Sequence, residues 1–193
     1  MPEEAPSDPH VSRPPLWPLR LATEADIAEL EDLISLSVHG LQAAHYSLEQ
    51  RKAALGPVFG VDRQLLQDGT YWVAEDAGKI VGSGGWSWRR KIYGGERRNP
   101  GEDDALDPTR DAARVRAFFV HPQWARRGIG RSLLFVCEQA IRRAGFKRAE
   151  LVGTLTGEAL YASWGYSVVA REDAPMQGGL TLPVVRMAKN LGC

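Results

Sequence analysis

The stretch from Arg114 to Arg131 constrains this chain more than any other part of it. Arg114 to Val120 reads as a strand and stops at His121-Pro122, because proline cannot donate to a strand ladder. After a short loop, Gly128-Ile129-Gly130 opens a segment with Ile129, Leu133, Cys137, Ala140, Ile141 and Ala144 on one helical face. Gly145 ends that helix, as glycine just past a helix usually does. Glycine lets backbone amides come close to an anion. The first helical turn also carries N–H groups without intrahelical partners and a partial positive charge. The segment therefore predicts a pyrophosphate site, with Arg126, Arg127 and Arg131 adding side-chain charge around it. Two other nucleotide motifs fail here. A P-loop needs Lys and then Ser or Thr after its last glycine, but Gly130 is followed by Arg131-Ser132. The dinucleotide fingerprint needs a third glycine where Leu133 stands.

The rest of the chain alternates strand and helix signals. Trp17 to Ala22 reads as a strand. Thr23 with Asp26 makes a capping-box pattern before a helix carrying Ile27, Leu30, Leu33, Ile34 and Val38, with Gly40 expected to end it. Shorter helical stretches near 47–55 and 61–67 are parted by Gly56-Pro57. Tyr71 to Glu75, the turn Asp76-Ala77-Gly78, and Lys79 to Trp88 form a strand pair. Gly82, Gly84 and Gly85 predict a bulge there, or the close approach of another backbone or a ligand. Arg89 to Asp111 is a long polar loop of the kind that carries function or lacks order. Strands near 147–152, 166–171 and 181–188 and a short helix at 157–163 complete a mixed α/β pattern with several antiparallel neighbours in one domain. Residues 1–15, with five prolines and almost nothing to bury, are expected to be a flexible leader, and 16–193 the domain.

Composition narrows the function classes. Lys plus Arg equals Asp plus Glu at 24 each in 193 residues, which argues against whole-surface attraction to nucleic acid or anionic membrane. No apolar run approaches the length that crosses a bilayer. The two cysteines, Cys137 and Cys193, give no disulfide framework, so a reducing cytoplasm is the natural reading.

The turn in its context resembles motif A of the GCN5-related N-acetyltransferases (GNAT), which bind acetyl-CoA through a Gln/Arg-x-x-Gly-x-Gly/Ala loop. The six positions here read Ala125-Arg126-Arg127-Gly128-Ile129-Gly130, with Ala125 where the family has Gln or Arg. The resemblance implies a GNAT-type mixed, mostly antiparallel sheet flanked by helices, and acetyl-CoA as cosubstrate without a metal. It also implies that Phe118-Phe119-Val120 pairs backbone to backbone with the pantetheine arm. Leu155 to Tyr166 resembles motif B, which makes Tyr161 the expected acid for the departing thiolate. A phenol with an ordinary pKa of about 10 suits that task. Thr156 stands where much of the family has a cofactor-contacting Asn. No carboxylate lies on the strand Arg114-Val115-Arg116-Ala117, so the base stays open among Asp107, Asp111, Glu75, His121 and a water chain.

By the same resemblance the acceptor site is walled by His39, His45, Tyr46, Phe59, Trp86, Trp88, Tyr93 and Glu102-Asp103-Asp104. Carboxylates beside aromatic faces suit a cationic amine. The expected activity is acetyl transfer to a primary amine, a small molecule rather than a protein, by direct attack on the thioester. A homodimer through the terminal strands is expected, with no nucleic-acid or membrane partner. A catalytically silent acyl-CoA sensor, or a partner-binding module, is the alternative.

Overall fold

The computed structural model describes residues 17–91 and 104–192. Seven strands form one sheet in the order β1-β2-β3-β4-β5-β7-β6. They are β1 (Leu19–Leu21), β2 (Tyr71–Asp76), β3 (Lys79–Ser87), β4 (Ala113–Val120), β5 (Arg148–Thr154), β6 (Ser167–Pro175) and β7 (Thr181–Asn190). Every neighbouring pair is antiparallel except β4 and β5. The helices are α1 (Ile27–Leu41), α2 (Leu48–Ala54), α3 (Arg63–Gln67), α4 (Ile129–Arg143) and α5 (Glu158–Ser163). This is the mixed, mostly antiparallel sheet flanked by helices that the sequence predicts.

Three apolar clusters form, of which those packed on α1 and on α4 are the two large ones. Leu30, Leu33, Ile34 and Val38 of α1 pack with Tyr71, Val73, Phe119 and Val184. Leu134, Cys137 and Ile141 of α4 pack with Trp86, Val115, Leu151 and Met187. Asp26 closes the capping box by accepting from the Thr23 N–H at 2.7 Å, and it also takes a charge-assisted bond from Arg20 at 2.8 Å. β1 is shorter than the predicted 17–22. Trp17 turns away to the start of α4, where its N–H reaches Ser132 Oγ and its indole N–H reaches the Arg127 carbonyl.

The glycines of this sheet make room for neighbouring side chains. Gly40 does not end α1, which runs on to Leu41. A Cβ at Gly40 would lie 2.4 Å from Pro122 Cγ, so the glycine lets the loop after β4 press against the helix. In β3 a Cβ at Gly82 would strike Ile129, one at Gly84 the Phe118 ring, and one at Gly85 both Leu65 and the Thr70 carbonyl. The close approach expected at these glycines therefore comes from the protein's own groups. The expected bulge is present too: the β3–β4 register shifts between Ser83 and Gly85. Opposite it, Ala117 sits at φ 61°, a left-handed conformation that costs a residue with a Cβ. Tyr71 donates to Ser83 Oγ, which contacts the Ala117 carbonyl at 3.4 Å, and these bonds pin the distorted stretch.

A bulge bends its strand. β4 pairs with β5 only at Ala113–Ala149 and Arg114–Glu150, then stays with β3 while β5 stays with β7. The two strands splay apart beyond that point. That opening positions the site.

Candidate active site

A cavity of about 550 Å³ lies in the splay. Phe118 and Val120 of β4 form one wall, and Thr154 and Thr156 at the end of β5 form the other. Gly128, Ile129, Gly130 and Arg131 close one end, Leu160 and Tyr161 of α5 line another side, and Ser37 and Leu41 of α1 with Gln42 just past it complete it. Strand alternation explains why Phe119 is missing from the wall. It points into the α1 core, where its ring meets Phe59 at 6.1 Å. Its part in the predicted trio is limited to its backbone.

The turn itself has the conformation an anion site needs. Arg126 lies at φ 65° and Gly128 at φ 90°, and the first intrahelical bond is Ser132 N–H to the Gly128 carbonyl. By helix geometry, the amides before Ser132 in that turn have no intrahelical acceptor. Arg126 and Arg131 line the cavity. Arg127 lies outside the wall, with its guanidinium 5.9 Å from the centre of the Trp124 ring. Gly130 has a packing reason as well: a Cβ there would lie 2.6 Å from Leu160 Cδ2, so the glycine lets α4 and α5 meet.

Tyr161 is held from four sides. Its ring meets those of Phe118 and Tyr166 edge-on, each at 6.2 Å. A Cβ at either Gly153 or Gly157 would come within 2.9 Å of its ring, so both glycines frame it. Burial pushes its phenol above the ordinary range, with the neighbouring Cys137 adding to the shift. The shift favours the protonated phenol. Thr156 lines the same cavity, and its hydroxyl is buried without a hydrogen-bond partner among the described residues. Sequence reasoning did not single out Tyr46 as a brace. Its hydroxyl donates to the Pro183 carbonyl at 2.7 Å and accepts the Leu155 N–H at 2.8 Å, which ties the end of β5 to β7. Only a buried tyrosine far away in sequence carries that signal.

The expected acceptor wall is not part of this cavity. Trp86 is buried against Phe146 and Trp88 in the α4-side core, and Phe59 is in the α1-side core. A sheet covered on both faces gives both sides of a strand an apolar environment, so alternation could not tell lining from core. None of the described members of that set lines the cavity, and Tyr93, Glu102 and Asp103 lie outside the described residues. The candidate bases are elsewhere too. Glu75 pairs with Arg20, Asp107 accepts from Thr109, Asp111 accepts the Asp107 N–H, and His121 accepts the Gln123 N–H while meeting the Trp124 ring edge-on. Among the described residues no Asp, Glu or His lines the cavity.

A family model described as an acetyltransferase (GNAT) domain matches residues 67–168, a span that includes the splay, the turn and Tyr161. The chain belongs to that family. Among similar solved structures is a GCN5-related N-acetyltransferase (aminotransferase, class-II) from Rhodopseudomonas palustris, 20% identical, with 90% of this chain and 95% of that one covered at a TM-score of 0.67. A ribosomal-protein-alanine N-acetyltransferase from Brucella melitensis is 22% identical, with 90% and 99% covered at 0.58. A putative acetyltransferase from Salmonella typhimurium, yncA, solved with its cofactor acetyl-CoA, is 20% identical, with 92% and 95% covered at 0.58. At these identities the likeness is one of fold. No protein of curated function matches the chain. Among the described residues no GNAT helix is long and apolar enough to cross a membrane, and no cluster of His, Cys, Asp and Glu could hold a metal ion.

Proposed function

We propose that this GNAT chain is an acetyl-CoA-dependent N-acetyltransferase in which a primary amine attacks the thioester directly. One observation carries the reading: the Gly128 turn and the buried phenol of Tyr161 open onto the same cavity in the strand splay. The turn suits the pyrophosphate, and Phe118, Val120 and Thr156 suit the arm. Tyr161 suits the departing thiolate, to which it would deliver its phenolic proton. Direct attack is favoured over an acyl-enzyme because Cys137 does not line the cavity. Burial and the neighbouring Glu138 also push its thiol well above the ordinary range. With no carboxylate or imidazole at the wall among the described residues, the amine's proton leaves through water or the amine enters neutral.

The acceptor under this proposal is a small-molecule amine, and the competing class is a peptide N-terminus. The same proposal includes self-association along the sheet edge, supported by Val168 and Val169 of β6 at 45% and 63% exposed. A monomer mass by light scattering at micromolar concentration counts against it.

The deciding experiment is calorimetric titration with acetyl-CoA, followed by free-thiol release with a panel of small amines and alanine-starting peptides. Saturable binding and turnover with small amines bear the reading out. Turnover with peptides alone moves the acceptor to the competing class, and binding without turnover favours the silent sensor that the carboxylate-free wall suggests. No binding by folded protein removes the cofactor reading.

A further inference from the structure

Trp17 stands just ahead of β1 and makes two hydrogen bonds to the start of α4, 110 and 115 positions further along the chain. Its indole N–H donates to the Arg127 carbonyl at 2.8 Å, and its backbone N–H donates to Ser132 Oγ at 3.2 Å. Its ring packs with the cluster of Ala74, Val81, Ile129 and Leu133. Trp17 reaches the turn from the side away from the cavity. β1 is an edge strand separated from β4 by β2 and β3, whereas the cavity opens between β4 and β5, and Trp17 is not part of its wall.

The Arg127 carbonyl matters because of what lies at the other end of its peptide bond. A trans peptide sets the carbonyl and the following N–H on opposite sides of the chain, and the described residues contain no cis peptide bond. With the carbonyl drawn toward Trp17, the Gly128 N–H is turned the other way, toward the cavity that Gly128 lines. It is one of the amides ahead of Ser132 that no helical carbonyl accepts. The backbone alone does not secure that orientation. Gly128 sits at φ 90°, but glycine takes positive and negative φ about equally well. Arg126, at φ 65°, carries strain that a relaxed turn would release. A rotated 127–128 peptide would present a carbonyl to the anion in place of an N–H.

We infer that Trp17 is a positioning residue for the pyrophosphate site: its indole N–H holds the Arg127–Gly128 peptide so that the Gly128 N–H faces the phosphates. This rests on the acetyl-CoA reading above. Trp17 acts through that peptide and not by contact with the ligand, and it lies before the stretch 67–168 matched by the family model. Coupling of this kind is reciprocal. An anion held by the Gly128 N–H strengthens the Trp17 bond by the same factor by which that bond strengthens anion binding.

The test compares wild type and Trp17→Phe by calorimetry with CoA and with adenosine 3′-phosphate 5′-diphosphate, which carries the pyrophosphate without the arm. Phenylalanine keeps a ring against Ile129 and Leu133 and removes the indole donor. Loss of one neutral hydrogen bond predicts both ligands weakened about three- to tenfold. In wild type, saturating diphosphate should slow hydrogen exchange at the Trp17 indole N–H by a similar factor, read by NMR on the resonance missing from the variant. That second measurement does not depend on how stable the variant is. Unchanged affinity for both ligands in Trp17→Phe would overturn the inference and leave Trp17 a tether for the chain before β1. So would weakening of CoA alone, which would place the loss along the arm, or an indole exchange rate that bound diphosphate leaves unmoved. Wild-type protein that binds neither ligand would instead remove the cofactor reading itself, a result distinct from wild-type binding that survives in the phenylalanine variant.

Discussion

Tyr161 shows what one residue can do when its surroundings are fixed. Its ring has little freedom between Phe118, Tyr166 and the two bare glycine positions, and burial keeps its proton on. Replacing it with phenylalanine keeps the packing and removes only the donor, so CoA affinity should hold while thiol release falls by roughly a hundredfold. The pH dependence follows from the direction of the shift. A phenol raised above 10.0 stays the acid up to and beyond that pH, so Tyr161 should cause no alkaline decline in rate below pH 10. A decline there that vanishes in Tyr161→Phe would refute the assignment. That Tyr161 lines the cavity follows the sequence expectation, which came from the local pattern Tyr161-Ala162-Ser163-Trp164-Gly165-Tyr166. The Tyr46 brace was not legible, since its partners Pro183 and Leu155 lie 137 and 109 positions away. A second titration belongs to this scale. Arg20 and the Thr23 amide hold the Asp26 carboxyl down to about 2 from 3.8. A depressed carboxyl gives stability that is present above its unfolded value and lost as pH falls through the folded one. Unfolding free energy should therefore drop by about 1–2 kcal/mol between pH 4 and pH 2, allowing for the partly exposed Arg20. Asp26→Asn should remove that slope in urea titrations.

At the scale of elements, the cavity depends on a strand that bends. The sequence marks the place with Gly82, Gly84 and Gly85 in β3, yet the bend itself is in β4 at Ala117, a residue with no turn signature. That is why the bulge was legible from one strand and not from the other. Gly84 links the two. Three atoms of the Phe118 ring would lie 2.7 to 2.9 Å from a Cβ there, so Gly84→Ala must move a ring that forms both the cavity wall and one side of the Tyr161 cage. Overpacking of this kind costs about 1–3 kcal/mol. Chemical denaturation should show that loss, and CoA titration should show weaker binding in the same variant. Stability loss with CoA affinity intact would mean that the ring swings away from the cavity. Helix ends follow a similar logic. Gly145 does stop α4, with its N–H on the Arg142 carbonyl. Gly40 carries the same letter inside a helix, because what it accommodates is Pro122 from a distant part of the chain.

For the molecule as a whole, the question is what keeps the splayed strand in place when β5 no longer supports it. Part of the answer is a charge pair that sequence could not locate, since its members are 54 positions apart: Asp62 ahead of α3 and Arg116 beside the bulge. Their side chains are 1% and 2% exposed and meet at 2.8 Å. Asp62 also caps α3 by accepting the Leu65 N–H, and Arg116 donates to the Lys91 carbonyl at 2.6 Å. The pair thus joins a helix, the edge of the splay and the start of the long loop. Burying two charges costs desolvation that their attraction only partly returns, so the pair adds little net stability over apolar residues of similar size. Breaking it is different, because Arg116 stays buried after losing the Asp62 carboxylate. Asp62→Ala should therefore destabilise by about 3–5 kcal/mol, measured by urea unfolding, and should weaken CoA binding by loosening β4 next to Ala117. Asp62→Leu combined with Arg116→Met should recover much of the stability. CoA affinity in the double variant then separates two roles. Recovered stability with weak binding assigns the pair to fixing the strand's conformation. Recovery of both assigns it to filling space beneath the bulge, and a single-variant cost below about 1 kcal/mol would show that the pair behaves as a solvated one.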